Sequence, residues 1–116
     1  MKYTSLINKT EDYIENNLDQ KITLYNLAKN VNLSEYHFHR IFKEHANETI
    51  GQFVSRIKIE RSAIFMLVNI DMSITDIAYK YGYSDSSSYI KSFKKHFKTT
   101  PSKFRNSKKW QSNNYI

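Results

Sequence analysis

Apolar side chains recur at three- and four-residue spacing along most of this chain, the period of helices with one buried face. Leu6, Ile7, Thr10, Tyr13, Ile14 and Leu18 predict a helix over about residues 5–17, ended by Asn16-Asn17 and Asp19-Gln20, with Glu11, Asp12 and Glu15 toward solvent. Leu24, Leu27, Ala28 and Val31 predict a second over 24–31, with Thr23 as its N-cap. Ser34 caps a third over 35–46, whose inner face is Phe38, Ile41 and Phe42 and whose outer face is Tyr36, His37, His39, Arg40 and Lys43. A long helix follows over 49–68, with Phe53, Ile57, Ile64, Leu67 and Val68 as an apolar stripe and Arg56, Lys58, Glu60 and Arg61 interleaved. Ser73 caps a helix over 74–81 carrying Ile74, Ile77, Ala78 and Tyr81. Ser84 or Asp85 caps another over 86–97, with Tyr89, Phe93 and Phe97 on one side. Pro101 opens a short helix over 101–106 that buries Phe104.

The pattern repeats. Leu27-Ala28, Val31, Leu33-Ser34-Glu35, Arg40, Phe42-Lys43 and His45 match Ile77-Ala78, Tyr81, Tyr83-Ser84-Asp85, Lys91, Phe93-Lys94 and His96. The offset is fifty residues up to Glu35/Asp85 and fifty-one from Arg40/Lys91, so one inserted residue accounts for the change. Two copies are too few for a solenoid and predict two similar helix-turn-helix units. Ala28 suits the close approach of two helices. Asn32 and Gly82 hold matching places and can both take the left-handed conformation that ends a helix, and Asn47 is a further candidate. The expected fold is all-α, with about seven helices in two homeodomain-like helix-turn-helix subdomains. These are residues 1–48 and 69–106, joined by a connecting helix at 49–68 and followed by a flexible basic tail or start of a linker at 107–116, carrying Trp110 and Tyr115. Twenty residues of helix span ~30 Å, close to the ~34 Å between successive major-groove faces on one side of B-DNA.

Composition narrows the chemistry. The 116 residues suit one domain or two very small ones. There is no cysteine, which removes disulfides and thiolate metal sites. The longest apolar run, Ala63 to Val68, is far short of a membrane span, and the first residues lack the apolar core of a signal peptide. The expected location is cytoplasmic and nucleoid-associated. The net charge is +7, and it is unevenly spread: no acid occurs after Asp85. That asymmetry points to a polyanion near the C-terminal half, against the plainer reading of a solvated basic tail. The helix over 86–97 has small residues at its start and cations behind them, a form that can enter a DNA major groove.

Enzyme chemistry finds little support. His37 and His39 are two apart and point to different helix faces, so they make no metal pair. There is no nucleophile elbow, no phosphate-cradling glycine loop and no paired acids in an obvious cleft. No cofactor and no metal are expected.

From Ile77-Ala78 through Gly82-Tyr83 and Phe93-Lys94-Lys95 to Thr100-Pro101 and Phe104-Arg105, and again at His37-Phe38-His39-Arg40-Ile41-Phe42-Lys43, the chain resembles the DNA-binding domain of the AraC/XylS family of bacterial transcription regulators. The resemblance covers about residues 6–106. It departs where the family usually has glycine after each outer helix, here Asn47 and Lys98, and where it usually has phenylalanine, here Tyr89.

The resemblance implies sequence-specific binding of double-stranded DNA, with both outer helices in adjacent major grooves. The matching base-facing positions are Tyr36, His39 and Arg40 in the first and Ser86, Ser87, Ile90 and Lys91 in the second. Phosphate contacts fall to Ser34, Lys43, Ser84, Lys94, Lys95, Lys98, Lys103 and Arg105. Arg40 can donate a bidentate pair to guanine, so the first helix is expected to discriminate more and the second to lean on phosphates. Arg40 can instead pair with Glu44, four residues on. Arg61, mid-helix beside Glu60, reads as structural. RNA polymerase and a C-terminal effector-binding domain beyond residue 116 are further implied partners, with no membrane, and the chain reads as the N-terminal DNA-binding part of a longer regulator, the alternative being a small stand-alone member of the family. The competing readings are a nonspecific RNA or architectural DNA binder and a protein-interaction module that offers a basic helix to an acidic partner.

Overall fold

The first helix begins at Tyr3, and six more follow in a computed structural model that describes residues 3–114, with side chains described for 3–107. They are α1 (Tyr3–Glu15), α2 (Leu24–Asn30), α3 (Glu35–His45), α4 (Ile50–Val68), α5 (Ile74–Lys80), α6 (Ser86–Phe97) and α7 (Pro101–Asn114). No strand occurs among the described residues, and the all-α expectation holds. The chain divides into two compact units, Met1–Lys58 and Ile59–Ile116.

Short polar side chains start most of these helices by accepting the first unpaired N–H groups. The Thr23 hydroxyl accepts from the Asn26 N–H at 3.1 Å while the Asn26 side-chain Oδ1 accepts from the Thr23 N–H, a reciprocal box at the start of α2. Thr49 and Gln52 repeat that box at α4, at 3.1 and 2.9 Å. Ser34 caps α3 and Ser73 caps α5. At α6 the cap is Asp85, whose carboxylate accepts from the Ser88 N–H at 2.7 Å, and Ser84 is left outside the helix.

The turns inside the two helix pairs are built alike. Asn32 has φ 59° and Gly82 has φ 82°. Behind them the Leu33 N–H reaches the Ala28 carbonyl and the Tyr83 N–H reaches the Ala78 carbonyl, both at 3.0 Å. The exits of the two outer helices differ. Lys98 takes the left-handed conformation at φ 63°, as a glycine would. Asn47, expected to do the same, does not: Ala46 leaves α3 in extended backbone at φ −95° and ψ 148°.

In the first unit, Leu6, Ile14, Leu27, Ala28, Val31, Phe38, Phe42, Phe53 and Ile57 form the core. Phe42 stacks with Phe38 and meets Phe53 edge-on, with centroids 6.0 and 5.4 Å apart. Lys58 is buried, and its ammonium donates to the Gln20 carbonyl at 2.5 Å. Burial lowers its pKa, opposed by the nearby Asp19 charge.

In the second unit a chain of rings runs from Tyr83 through Tyr89 and Phe93 to Phe104, with neighbouring centroids 5.3 to 5.9 Å apart. Tyr89 is fully buried, and its hydroxyl meets that of Ser62 at 2.8 Å. Burial pushes the Tyr89 phenol up to about 12, although the Ser62 hydrogen bond pulls the other way.

The apolar stripe expected along α4 holds only for its first half. Phe53 and Ile57 are buried, but Ile64, Leu67 and Val68 are 58%, 40% and 76% exposed. The second half buries Ile59, Ser62, Ala63 and Met66 instead. One helix contributes to two cores, so a single face cannot run its whole length. At the C-terminal end α7 continues to Asn114, past the expected stop at 106, because nothing from Ser102 to Asn114 is glycine or proline. Tyr115 and the side chain of Trp110 lie outside the described residues.

Candidate nucleic-acid interface

α3 buries Phe38 and Phe42 and half-buries Ile41, which turns the remaining positions outward. Tyr36 is 73% exposed, and His37, His39, Arg40 and Lys43 are exposed with it. Tyr36 meets the His37 ring edge-on at 5.8 Å. The Arg40 guanidinium lies 3.3 Å from the Glu44 carboxylate, with both side chains about half exposed. Such a bridge is worth little and exchanges readily for a stronger acceptor. The Ser34 hydroxyl is already engaged as the cap of α3, accepting from the His37 N–H at 3.1 Å.

Two shallow grooves flank this helix. One, of about 410 Å³, joins His39 and Lys43 to Asn47, Thr49 and Gln52 at the start of α4. The other, of about 370 Å³, lies around Ser34 and is lined by Tyr25, Lys29 and Asn32. None of Tyr25, Lys29, Thr49 or Gln52 was among the sequence-derived candidates. The Thr49-x-x-Gln52 spacing is a capping signature, and it also aligns with Thr100 one repeat later, so that signal was available.

α6 buries Tyr89 and Phe93 and exposes Ser87, Lys91, Lys94 and Lys95. Ser86 and Ile90 are half-buried at the margin of that surface. The twelve residues of α6 carry Lys91, Lys94 and Lys95 and no acid. His96 is turned aside, its Nε2 3.0 Å from a Glu60 carboxylate oxygen on α4. Past the helix end, Lys98 is exposed and its ammonium donates to the Lys95 carbonyl at 3.2 Å. Ser84 and Lys103 are exposed as well.

Arg105 is the sequence-derived candidate that this geometry corrects. It is half-buried, and its guanidinium donates to the backbone carbonyls of Met72 at 2.7 Å, Met66 at 3.2 Å and Asn69 at 3.3 Å. A head committed to three carbonyls is not presented to a phosphate. Its place in a cation-rich segment suggested otherwise, because charge patterning cannot distinguish an inward arginine from an outward one.

Among the described residues no three histidine, aspartate or glutamate side chains gather closely enough to hold a metal ion. No helix among them is long and apolar enough to cross a membrane.

Two helices at a tight turn, the second presenting a polar outer face that is basic in α6, occur in both units and define a helix-turn-helix protein. The family model described as a helix-turn-helix domain matches residues 27–107. The chain is 36% identical over 103 residues to the probable transcription factor PqrA of Proteus vulgaris, covering 87% of this chain and 84% of that protein. It is 30% identical over 100 residues to the transcriptional regulator Rob of Salmonella typhimurium, covering 86% of this chain but only 34% of that protein. Its fold is similar to the crystal structure of a transcriptional regulator with an AraC-type DNA-binding domain from Chromobacterium violaceum, with a TM-score of 0.80 at 19% identity over 89% of this chain and 91% of that one. The chain belongs to the AraC/XylS family.

Proposed function

We propose that this chain binds double-stranded DNA in a sequence-specific manner and regulates transcription through that binding. One observation carries the reading most directly: α6 is anchored by buried aromatic side chains and turns outward Ser87, Lys91, Lys94 and Lys95 with no acid among its residues. A helix held rigidly on one side and cationic on the other suits a major groove. The exposed set of α3, Tyr36, His39 and Arg40, supplies the second reading surface. Here the donors suit guanine or thymine edges, so α3 carries more of the base discrimination. In α6 Ser86, Ser87, Ile90 and Lys91 face bases, while Lys94, Lys95 and Lys98 neutralise phosphates, joined by Lys43 and Lys103, and the Ser84 hydroxyl donates to a phosphate oxygen. Ser34 contributes through the helix terminus that it caps.

The role is binding rather than catalysis. Rob extends well beyond the region that this chain matches, and a longer regulator built on this chain would add an effector-binding domain. Regulation at a promoter would place the chain on the nucleoid and, in an activator, beside RNA polymerase.

Selection from a random duplex pool, followed by titration of the winning sequence against scrambled DNA at several salt concentrations, tests the reading. The expected result is a discrete motif in two half-sites about one DNA turn apart. Loss of any sequence preference, with affinity that only falls with salt, would leave a nonspecific basic binder. Failure to prefer duplex over acidic protein would leave an interaction module.

A further inference from the structure

Arg105 directs its guanidinium at three backbone carbonyls of the second unit. Its three acceptors belong to one connection. Met66 lies in the last turn of α4, Asn69 just beyond it, and Met72 directly before Ser73, the cap of α5. The Met66 carbonyl, at the end of α4, lies at the helix's negative pole, so a guanidinium suits it in both hydrogen bonding and charge. The neighbouring residue points elsewhere: the Phe104 ring lies 5.4 Å from Phe93 and 5.1 Å from Phe97, on the inner face of α6. Two successive side chains of α7 therefore hold the inner face of α6 and the point at which α5 begins.

We propose that Arg105 is the positioning residue of the second reading helix: it sets how α5 and α6 stand relative to each other and acts on base discrimination through α6 without touching DNA. The first unit has a comparable contact from another place in the repeat, since Arg105 falls opposite Val54 at the fifty-one-residue offset. There Lys58, on the helix that follows the reading helix, donates to the Gln20 carbonyl in the connection before α2. Base readout needs side chains held within a fraction of an ångström, so slack in this clamp falls first on discrimination and only then on general affinity.

The proposal rests on the DNA-binding reading, and the test separates the two. Arg105→Lys and Arg105→Gln are compared with Lys103→Gln on the selected duplex, with single base changes in each half-site and a salt titration for each protein. The lysine variant keeps the charge but cannot reproduce the fork. The expected result for Arg105→Lys is a roughly tenfold flattening of base preference, confined to one half-site and to the positions that change when Ser87 or Lys91 is replaced, the size expected of one base contact of about 1.4 kcal/mol. Its salt slope stays that of the wild type. Lys103→Gln should do the reverse, lowering the slope by ~0.9 with preference intact.

The idea is overturned if Arg105→Lys reads both half-sites as the wild type does, or if Arg105→Gln lowers the salt slope like Lys103→Gln, which would make Arg105 a phosphate ligand. Should Arg105→Gln fail to fold, nitrogen-15 spectra of the wild-type arginine side chains decide: the Arg105 signals stay in place as DNA is added if the residue clamps backbone, and shift with Arg40 if it binds phosphate. If the wild type selects no motif, the DNA-binding reading fails alone. The clamp is then judged by amide exchange in Arg105→Lys, which must speed up across α5 and the start of α6, and unchanged exchange there would refute it.

Discussion

The hydroxyls of Ser62 and Tyr89 meet at 2.8 Å between α4 and α6, with both residues fully buried. Ser62 also donates to the Ile59 carbonyl at 2.8 Å. The phenol that replaces the family's usual phenylalanine thus has a partner, which an isolated buried hydroxyl would need.

Burial of the Tyr89 phenol makes the second unit sensitive to alkali. The folded phenol is held at about 12, against 10.0 for the free group. Above pH 10 the unfolded chain therefore releases a proton that the folded unit keeps, and stability falls as pH rises. At pH 12 the loss from this one group is about 2 kcal/mol. Burial likewise raises the Tyr81 phenol, which adds to the fall. Guanidinium unfolding followed at the Ile77 methyl signals between pH 9 and 11.5 should show the decline. Tyr89→Phe should make it shallower while costing under about 1 kcal/mol at pH 7.

Lys58 works with the opposite sign in the first unit. Burial lowers its pKa below 10.5, so between the lowered value and 10.5 the unfolded chain holds more proton than the folded one. Its contribution to stability rises with pH across that window. Unfolding followed at the Leu27 methyl signals should reveal this rise, and Lys58→Met should abolish it. A slope at Leu27 that survives the substitution would assign it to another group.

Lys98 holds a left-handed backbone at φ 63° without being glycine. Lys98→Gly should stabilise the unit by about 0.5–1 kcal/mol, the strain that an L side chain carries there less the extra entropy of glycine. The same change removes an exposed cation, so the salt slope of DNA binding should drop by ~0.9. Thermal unfolding and a salt titration of one variant thus report opposite effects: higher stability and weaker binding. A variant no more stable than the parent would mean that the strain is relieved elsewhere.

Arg40 spends the unbound state against Glu44. Glu44→Ala should change stability little, because an exposed pair at this spacing is worth a few tenths of a kcal/mol. It should tighten DNA binding severalfold by freeing Arg40 and removing an anion beside the phosphates. Arg40→Ala should relax one position of the motif by about 1–3 kcal/mol. Equal losses across all base changes would show that Arg40 contacts only the backbone.

Local chemistry settled the helices themselves. Thr23, Ser34 and Ser73 cap where their side chains predict, since a cap needs only an acceptor three residues ahead of an N–H. Asn32 and Gly82 turn the chain where the repeat placed them, because a left-handed residue is a local requirement. The outward faces of α3 and α6 were legible for the same reason: Phe38, Phe42, Tyr89 and Phe93 fix the buried side by spacing alone. What the chain did not reveal depended on partners distant in sequence. Period alone extended the stripe of α4 to Ile64, Leu67 and Val68, whereas burial fell on Ile59, Ser62 and Met66, because each core accepts only the face turned toward it. Arg105 looked like one more cation in a basic segment, and only folding brings the carbonyls of Met66, Asn69 and Met72, thirty and more residues away, within reach of its guanidinium. Helix, cap and turn are written in neighbouring residues, while the direction in which a charge points is decided by the packing that surrounds it.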